Sequence, residues 1–485
     1  MGPHPTSLLS LPDEILSKCF ELAFEGDNKG GSFLSLGLSH LSRRCRVVAL
    51  KNANIWTSLQ HDRRLRSLEF TKGCIARSKQ LPLTVVVSFT SGPVHATDFL
   101  ALLGQRVCVE RCRRVVLIYH PDHVEEGLPG SEVGSEHFSS DAFLARMNPE
   151  CLVLRLDWSQ SSIDPNLDEY HDKLSPAWSR AFLIRMADRI KHLTLSTLPG
   201  LHRHVDFYID SLSSFHLVIE DNLYIPATEF LRLFRSLEDL KVTMTLFSPT
   251  SSIDTYELFY EGCVSFPSIR NLHFRIYVDH DPQQDFDKIR FPLNDCLFPN
   301  AVKMNLHLEF QVFTSSYEVP LHGSEWKFRS LVESIFPNDR RCPSLEQLSV
   351  TFRIANRDGI SAVGFGPKFQ TASTIFPLKC LPHLKHLEIR SDLRLSVHTS
   401  ILDYLQRIKV NFPALLSLKL WGSQLKLYKW TGLVLQILKE QGSWETFEEL
   451  VVPTEMALPG TSYGVLRGEA ISEWIRAKVN PKWEL

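Results

Sequence analysis

The chain has 485 residues, 44% of them hydrophobic and 22% charged, with a formal net charge of −2. That length and apolar content support a large buried core and exceed one ordinary compact domain, so several domains or a stacked repeat are expected. The near-zero charge provides no global field for nucleic acid or an anionic membrane, and no apolar run approaches the ~20 residues that span a bilayer.

Ten cysteines are scattered too thinly for a disulfide scaffold, and the close pair Cys108 and Cys112 lacks a second pair at zinc-site spacing. They read as reduced core residues. No Asn-x-Ser/Thr sequon or signal-peptide pattern is present, so a cytoplasmic or nuclear location is expected. The opening MGPHPT matches the myristoylation pattern at Gly2 and Thr6, but Pro3 makes it a poor acceptor.

The first predicted helix covers Ser10 to Ala23. Ser10 can cap it, Pro12 suits its first turn, and Asp13 and Glu14 favour the positive end of its dipole. Ile15, Leu16, Cys19, Phe20 and Leu22 supply its apolar side. GDNKGGS, Gly26 to Ser32, reads as a loop. A second helix is expected from Phe33 to Leu50, where Leu34, Leu38, Leu41, Cys45 and Val48 keep a helical spacing and Arg43, Arg44 and Arg46 load the later turns. The segment closes on NANIWTSL, ending at Leu59. A bundle this short cannot bury Leu11, Pro12, Ile15, Leu16, Leu36 and Leu38 internally, and such a surplus marks a protein interface.

Leu11, Pro12, Glu14, Ile15 and Leu16, a basic helix, and the terminal pair Ile55 and Trp56 together resemble an F-box, the helical module that docks proteins onto ubiquitin ligases. The family's basic-Trp-basic triplet corresponds to Arg44, Cys45 and Arg46, with cysteine at the tryptophan position. The resemblance implies that Leu11, Pro12, Glu14, Ile15, Leu16, Leu36, Leu38 and Trp56 bind a Skp-type adaptor.

A further helix is expected from Arg63 to Gln80 and a strand from Leu81 to Phe89, where β-branched residues follow Pro82. A basic helix ending in Arg77-Ser78, then Pro-Leu and a strand, resembles F-box families of mushroom-forming fungi.

The remainder repeats L-x-x-L-x-L, with aliphatic or Phe side chains at the apolar positions. The hexamers start at Cys112, Cys151, Ile190, Leu212, Leu237, Ile269, Ala301, Leu345, Leu384, Leu415 and Phe447, at intervals of 22 to 44 residues. Such periods suit a leucine-rich solenoid with insertions. Pro267, Pro299, Pro343, Pro382 and Pro413 each precede a hexamer by two residues, a place suited to ending a helix and leading into a strand. The expected fold is therefore α/β: a helical module, then an irregular leucine-rich-repeat solenoid with a parallel sheet and outer helices. The boundaries read as 1–60 for the module, 61–95 for a connecting helix and strand, 96–445 for the repeats, and 446–485 for the last repeat and a capping helix from Val465 to Val479. FLRLFRSL from Phe230 and TSILDYLQRI from Thr399 are expected crossover helices.

In each strand the fourth and sixth hexamer residues face the core, so the residue between them faces outward. A target-binding face is expected from such positions and from strand ends: Arg155, Trp158, His216, Lys241, His273, Arg275, Tyr277, Asn305, Glu388, Lys419 and Trp421. Polar insertions at 120–140, 157–176, 248–262, 278–291 and 311–325 follow strands and would line one rim.

Catalytic motifs fail on their own chemistry. GTSYG places Ser462 in a nucleophile-elbow pattern, but no histidine follows His398 to act as base, and Pro459 interrupts the preceding strand. His202, His204 and Asp206 lack a further ligand, and His192, His216, His273, His307 and His386 have no ligand spacing. No enzyme activity, cofactor, metal, nucleic acid or membrane partner is expected. The resemblance implies a substrate-recognition subunit of an SCF-type cullin-RING ubiquitin ligase, with the solenoid holding an unidentified protein target. The alternative is a leucine-rich scaffold or sensor with a degenerate F-box and no part in ubiquitylation.

Overall fold

The computed structural model of the chain describes residues 10–26, 31–61, 68–88, 99, 102–104, 110–119, 149–156, 187–196, 208–219, 231–246, 263–279, 293, 296–312, 326–327, 329–356, 371–392, 394–397, 412–421, 427–453 and 464–479. The chain divides into two compact units, Met1–Phe215 and His216–Leu485. Among the described residues the main sheet has fourteen strands ordered as in the sequence, parallel except at its end.

Three short helices open the first unit: α1 (Asp13–Gly26), α2 (Gly31–His40) and α3 (Arg43–Lys51). The single helix expected from Phe33 to Leu50 is thus broken in two. Ser42 causes the break: its backbone is extended, and its hydroxyl accepts the Cys45 N–H at 3.0 Å, starting a new helix with a side-chain cap. A 3-10 turn at Ala53–Trp56 follows, with the Asn52 side chain accepting the Asn54 N–H.

The module runs directly into the sheet. β1 (Ser58–Gln60) pairs in parallel with β2 (Leu83–Ser88), and buried Leu59 lies opposite buried Val85. Between them α4 (Glu69–Arg77) is shorter than the helix expected there, whose residues 63–67 lie outside the described set. β3 (Cys112–Tyr119), β4 (Cys151–Leu156), β5 (His192–Leu195) and β6 (Ser214–Ile219) continue the series, β6 spanning the division between units.

In the second unit come β7 (Asp239–Leu246), β8 (Asn271–Asp279), β9 (Lys303–Val312), β10 (Gln347–Asn356), β11 (His386–Ser391), β12 (Ser417–Trp421) and β13 (Glu449–Val451). Every expected hexamer coincides with a strand, and from Ile190 onward each strand starts at the hexamer's third residue. The one slipped frame is Cys151. Leu152 lies opposite Leu193, and the Glu150 carbonyl accepts the N–H groups of Lys191 and His192, so that repeat begins at Pro149.

The same carbonyl device recurs through the second unit. Glu238 receives the N–H groups of Arg270 and Asn271, Arg270 those of Val302 and Lys303, and Val302 those of Glu346 and Gln347. Each repeat is thereby fixed to its predecessor before the ladder begins.

Proline acts differently from the helix-ending role expected of it. The N–H of Ile269 donates to the Phe266 carbonyl, Ala301 to Phe298, Leu345 to Cys342 and Leu384 to Leu381, at 3.1 to 3.4 Å. Pro267, Pro299, Pro343 and Pro382 therefore occupy the second position of a turn, where their fixed φ is an advantage. The residue before each proline is buried, so the repeat carries an apolar anchor one residue ahead of the proline.

Apolar columns run through this sheet. Leu240, Leu272, Met304, Leu348, Leu387, Leu418 and Leu450 stand in register, beside Val242, Phe274, Leu306, Val350, Ile389 and Leu420. All are buried. The parallel register puts neighbours about 4.8 Å apart, close enough for continuous side-chain packing.

Connections hold helices α5 (Arg329–Ile335) and α6 (Tyr428–Glu440), but also short parallel strands where only outer helices were expected. Val264–Ser265 pairs with Cys296–Leu297, and Thr371–Thr374 lies between Trp326–Lys327 and Arg394–Val397. Of the helix expected from Phe230, Leu231 is helical and residues 232–236 form turns, and residues 399–408 lie outside the described set.

At the end, the capping helix starts later than expected. Val465–Leu466 forms β14, antiparallel to β13, and α7 runs Glu469–Lys478. Gly464 permits the pairing: a Cβ there would meet the Val452 carbonyl oxygen at 1.7 Å. Buried Trp474 stacks on Tyr428 of α6 at 6.2 Å, and Gly432 leaves room for Val479. α6 and α7 thus pack together, and among the described residues the sheet ends in the short antiparallel β14.

Candidate functional site

Polar cross-links tie the helical module together. The basic triplet at the start of α3 sends its two arginines to different neighbours. Arg44 donates to Asp13 Oδ1 from Nε (2.9 Å) and from a terminal nitrogen (2.6 Å), and from the latter to the Leu11 carbonyl (2.5 Å). Arg46 Nε donates to the Ser39 carbonyl at the end of α2, at 3.3 Å. Cys45 points between them into the core.

Asn52 donates to Ser17 Oγ at 2.8 Å and Asn54 to Glu21 at 2.7 Å, which joins α1 to the end of α3. Those bonds, Asn54's first and then Lys18's, hold the Glu21 carboxyl below the usual carboxylate range. Trp56 is buried, donates from Nε1 to the Ala49 carbonyl at 2.8 Å, and carries the Arg77 guanidinium 4.8 Å above its ring. Ser35 donates to the Ile55 carbonyl.

The expected adaptor residues separate into two groups. Leu16 and Trp56 are buried and fill the module's core, because three short helices need their largest apolar groups inside. Pro12, Glu14 and Ile15 are exposed, and Leu11, Leu36 and Leu38 are half-buried.

Four apolar residues outside that set are exposed as well. Leu22, Leu41, Val47 and Leu50, with Ile15, are 43% to 62% exposed. Ile15 and Leu22 share a stripe on α1 at a spacing of seven, and Val47 and Leu50 one on α3 at a spacing of three. The signal was available in the helical period: on α3 the buried Cys45, Val48 and Ala49 leave Val47 and Leu50 on the opposite side.

A second surface is the polar face of the sheet in the second unit. Its columns run Lys241, His273, Asn305, Ser349, Glu388, Lys419 and, beside them, Thr243, Arg275, His307, Thr351, Arg390, Trp421. Nine of the residues expected on the target face, His216, Lys241, His273, Arg275, Tyr277, Asn305, Glu388, Lys419 and Trp421, fall in this unit. Arg155 is exposed on β4 of the first unit. Trp158 lies outside the described residues, as do His202, His204, Asp206, Ser462 and the bulk of the five polar insertions.

Neighbouring strands pair their polar groups. Arg275 donates to Glu309 at 2.8 Å and stacks over Tyr277 at 4.8 Å. Asn305 bonds His273 and His216 bonds Thr243, each at 2.9 Å. Arg390 reaches Glu388 at 2.7 Å and lies 6.0 Å over the ring of exposed Trp421, while Lys419 pairs with Glu449 at 2.9 Å.

Burial holds His273 and His307 below the ordinary imidazole range, and pushes His216 down to about 4 with help from Lys241. Neutral at pH 7, His216 and His273 serve as hydrogen-bonding groups, while the buried Nε2 of His307 makes no hydrogen bond. Among the described residues no three His, Cys, Asp or Glu side chains are grouped to hold a metal ion, and no helix is long and apolar enough to cross a membrane.

The chain therefore presents two surfaces of different chemistry, an apolar one on the N-terminal helices and a mixed polar and aromatic one on the sheet. No family model matches the chain, and no curated protein matches its sequence.

Proposed function

We propose that this chain is the substrate-recognition subunit of an SCF-type cullin-RING ubiquitin ligase, its helical module docking a Skp-type adaptor and its sheet holding a protein target. The observation that carries the reading is the module's exposed apolar set, Ile15 and Leu22 on α1, Leu41 in the turn before α3, and Val47 and Leu50 on α3, around a core already filled by Leu16, Phe20, Cys45 and Trp56. Apolar side chains left outside a complete core mark a surface that another protein covers. Each one fully buried on docking contributes roughly 1.5 to 3 kcal/mol before association costs.

The sheet face supports the second half of the reading. It offers Trp421 and arginine-stacked Tyr277, residue types that dominate protein recognition, among paired polar groups. Ubiquitin transfer is then a matter of proximity: the chain raises the concentration of target lysines near a conjugating enzyme held by other subunits.

Mixing the purified chain with a recombinant Skp-type adaptor and measuring co-elution tests the reading. Wild type co-elutes and Ile15→Asp does not, while both unfold at the same temperature. A wild-type chain that elutes apart from the adaptor sinks the ligase reading and leaves a scaffold that binds partners without ubiquitylation.

A further inference from the structure

We infer that Arg44 is a positioning residue for adaptor docking, acting through Leu11 and Pro12 and not by touching the adaptor; the inference rests on the docking reading above. Leu11 and Pro12 precede α1 and present half-buried and exposed side chains. Ordering such an entry segment on binding would cost affinity.

Arg44 removes that freedom. Its guanidinium spans Pro12, with the Leu11 carbonyl on one side and the Asp13 carboxylate on the other, at 2.5 to 2.9 Å. Pro12 adds a fixed φ between those two anchor points, and its own carbonyl accepts the Leu16 N–H at 2.9 Å, in the first turn of α1. One terminal nitrogen serves both acceptors and Nε adds a second bond to Asp13, a fixed planar arrangement; a lysine side chain is one bond shorter and lacks the Nε donor.

The ion pair itself is exposed, 40% on the arginine side and 58% on the aspartate side, so its effect on folding is small. Its effect on docking comes from presenting Leu11 and Pro12 in one conformation. Arg46, one residue past Cys45, reaches Ser39 instead and has no hold on this segment.

The test is a double-mutant cycle on the dissociation constant for a recombinant Skp-type adaptor, using the full chain, with thermal unfolding followed for every variant. Arg44→Met is expected to weaken binding roughly 3- to 10-fold, the range of one or two lost hydrogen bonds, with Arg46→Met near wild type. In the Leu11→Ala background, Arg44→Met is expected to weaken binding by less than half as much, because the group it positions is gone.

Arg44→Lys keeps its charge and can still donate to either acceptor but is one bond shorter and lacks Nε, so it is expected to bind between Arg44→Met and wild type. If Arg44→Met lowers the unfolding temperature, the same cycle run with Arg44→Lys decides. Losses that multiply between Arg44 and Leu11, or full rescue by lysine, overturn the inference while leaving adaptor docking intact. Failure of the wild-type chain to bind the adaptor overturns docking and this inference together.

Discussion

The helical module and the sheet of the second unit treat apolar side chains in opposite ways. In the sheet, Leu272, Met304, Leu306, Val350, Leu387 and Ile389 lie in continuous columns and are buried by neighbours on both sides. The module fills its core with a few large groups and leaves Ile15, Leu22, Val47 and Leu50 outside. Repetition explains the difference. A repeat can hand its apolar face to the next repeat, whereas the three short helices have only β1, α4 and the 3-10 turn beside them among the described elements. Loss of an apolar group should therefore cost stability in the columns and partner binding on the module's surface.

The largest expected effect tests the few large groups of the module's core. Trp56→Ala should cost about 3 to 5 kcal/mol, since it removes a buried ring and leaves the Ala49 carbonyl with only the Asn52 N–H at 3.3 Å. Chemical denaturation followed by circular dichroism checks it; a loss below about 1 kcal/mol would mean the core closes without the ring.

In the columns, Leu306 has Phe274 on one side and Val350 on the other. Leu306→Ala should destabilise the chain by about 2 to 5 kcal/mol in the same assay, with the adaptor dissociation constant unchanged for folded protein. A changed dissociation constant would break the division of labour drawn above.

Leu11→Ala is the complementary variant. Half-buried in the free chain, Leu11 should contribute little to stability but up to roughly 1.5 to 3 kcal/mol to adaptor binding, read by isothermal titration. The comparison is sharpened if the two variants affect opposite readouts.

How much of this was legible in the sequence differs between the same two regions. The repeats announced themselves because L-x-x-L-x-L encodes strand alternation directly, and every hexamer is a strand. Cys151 was misplaced by two residues since a shift of two preserves the alternation; only the Glu150 carbonyl, which serves Lys191 and His192, distinguishes the frames. The apolar residue before each proline, such as Phe266 and Phe298, belonged to the pattern but sits outside the hexamer that defined it.

In the module, Leu38, Leu41 and Cys45 keep the helical period across a break, so periodicity concealed the break and only Ser42 hinted at it. Which apolar residues stay outside was harder still. All of Ile15, Leu16, Phe20 and Leu22 lie on α1, and the arrangement of three helices selects Leu16 and Phe20 for the core. The antiparallel β14 was missed because two residues carry no alternation, though Gly464 marked the close approach.

The smallest expected effect asks whether the polar face of the sheet is coupled to folding as its apolar columns are. His216 bonds Thr243 on the next strand, and burial with Lys241 nearby pushes its imidazole down to about 4 from an ordinary value of 6.5. Between those values the unfolded chain binds a proton that the folded chain does not. Stability therefore falls as the pH drops from about 6.5 toward 4, with no contribution above that window. His273 and His307 shift in the same direction, so a pH dependence alone does not identify His216. The difference between variants does. His216→Gln retains an amide for Thr243 and cannot titrate, so its unfolding midpoint in urea should move less than that of wild type between pH 7 and pH 5. Identical movements would show that the proton is taken up elsewhere on the face, and that His216 is a passive neighbour of the column it borders.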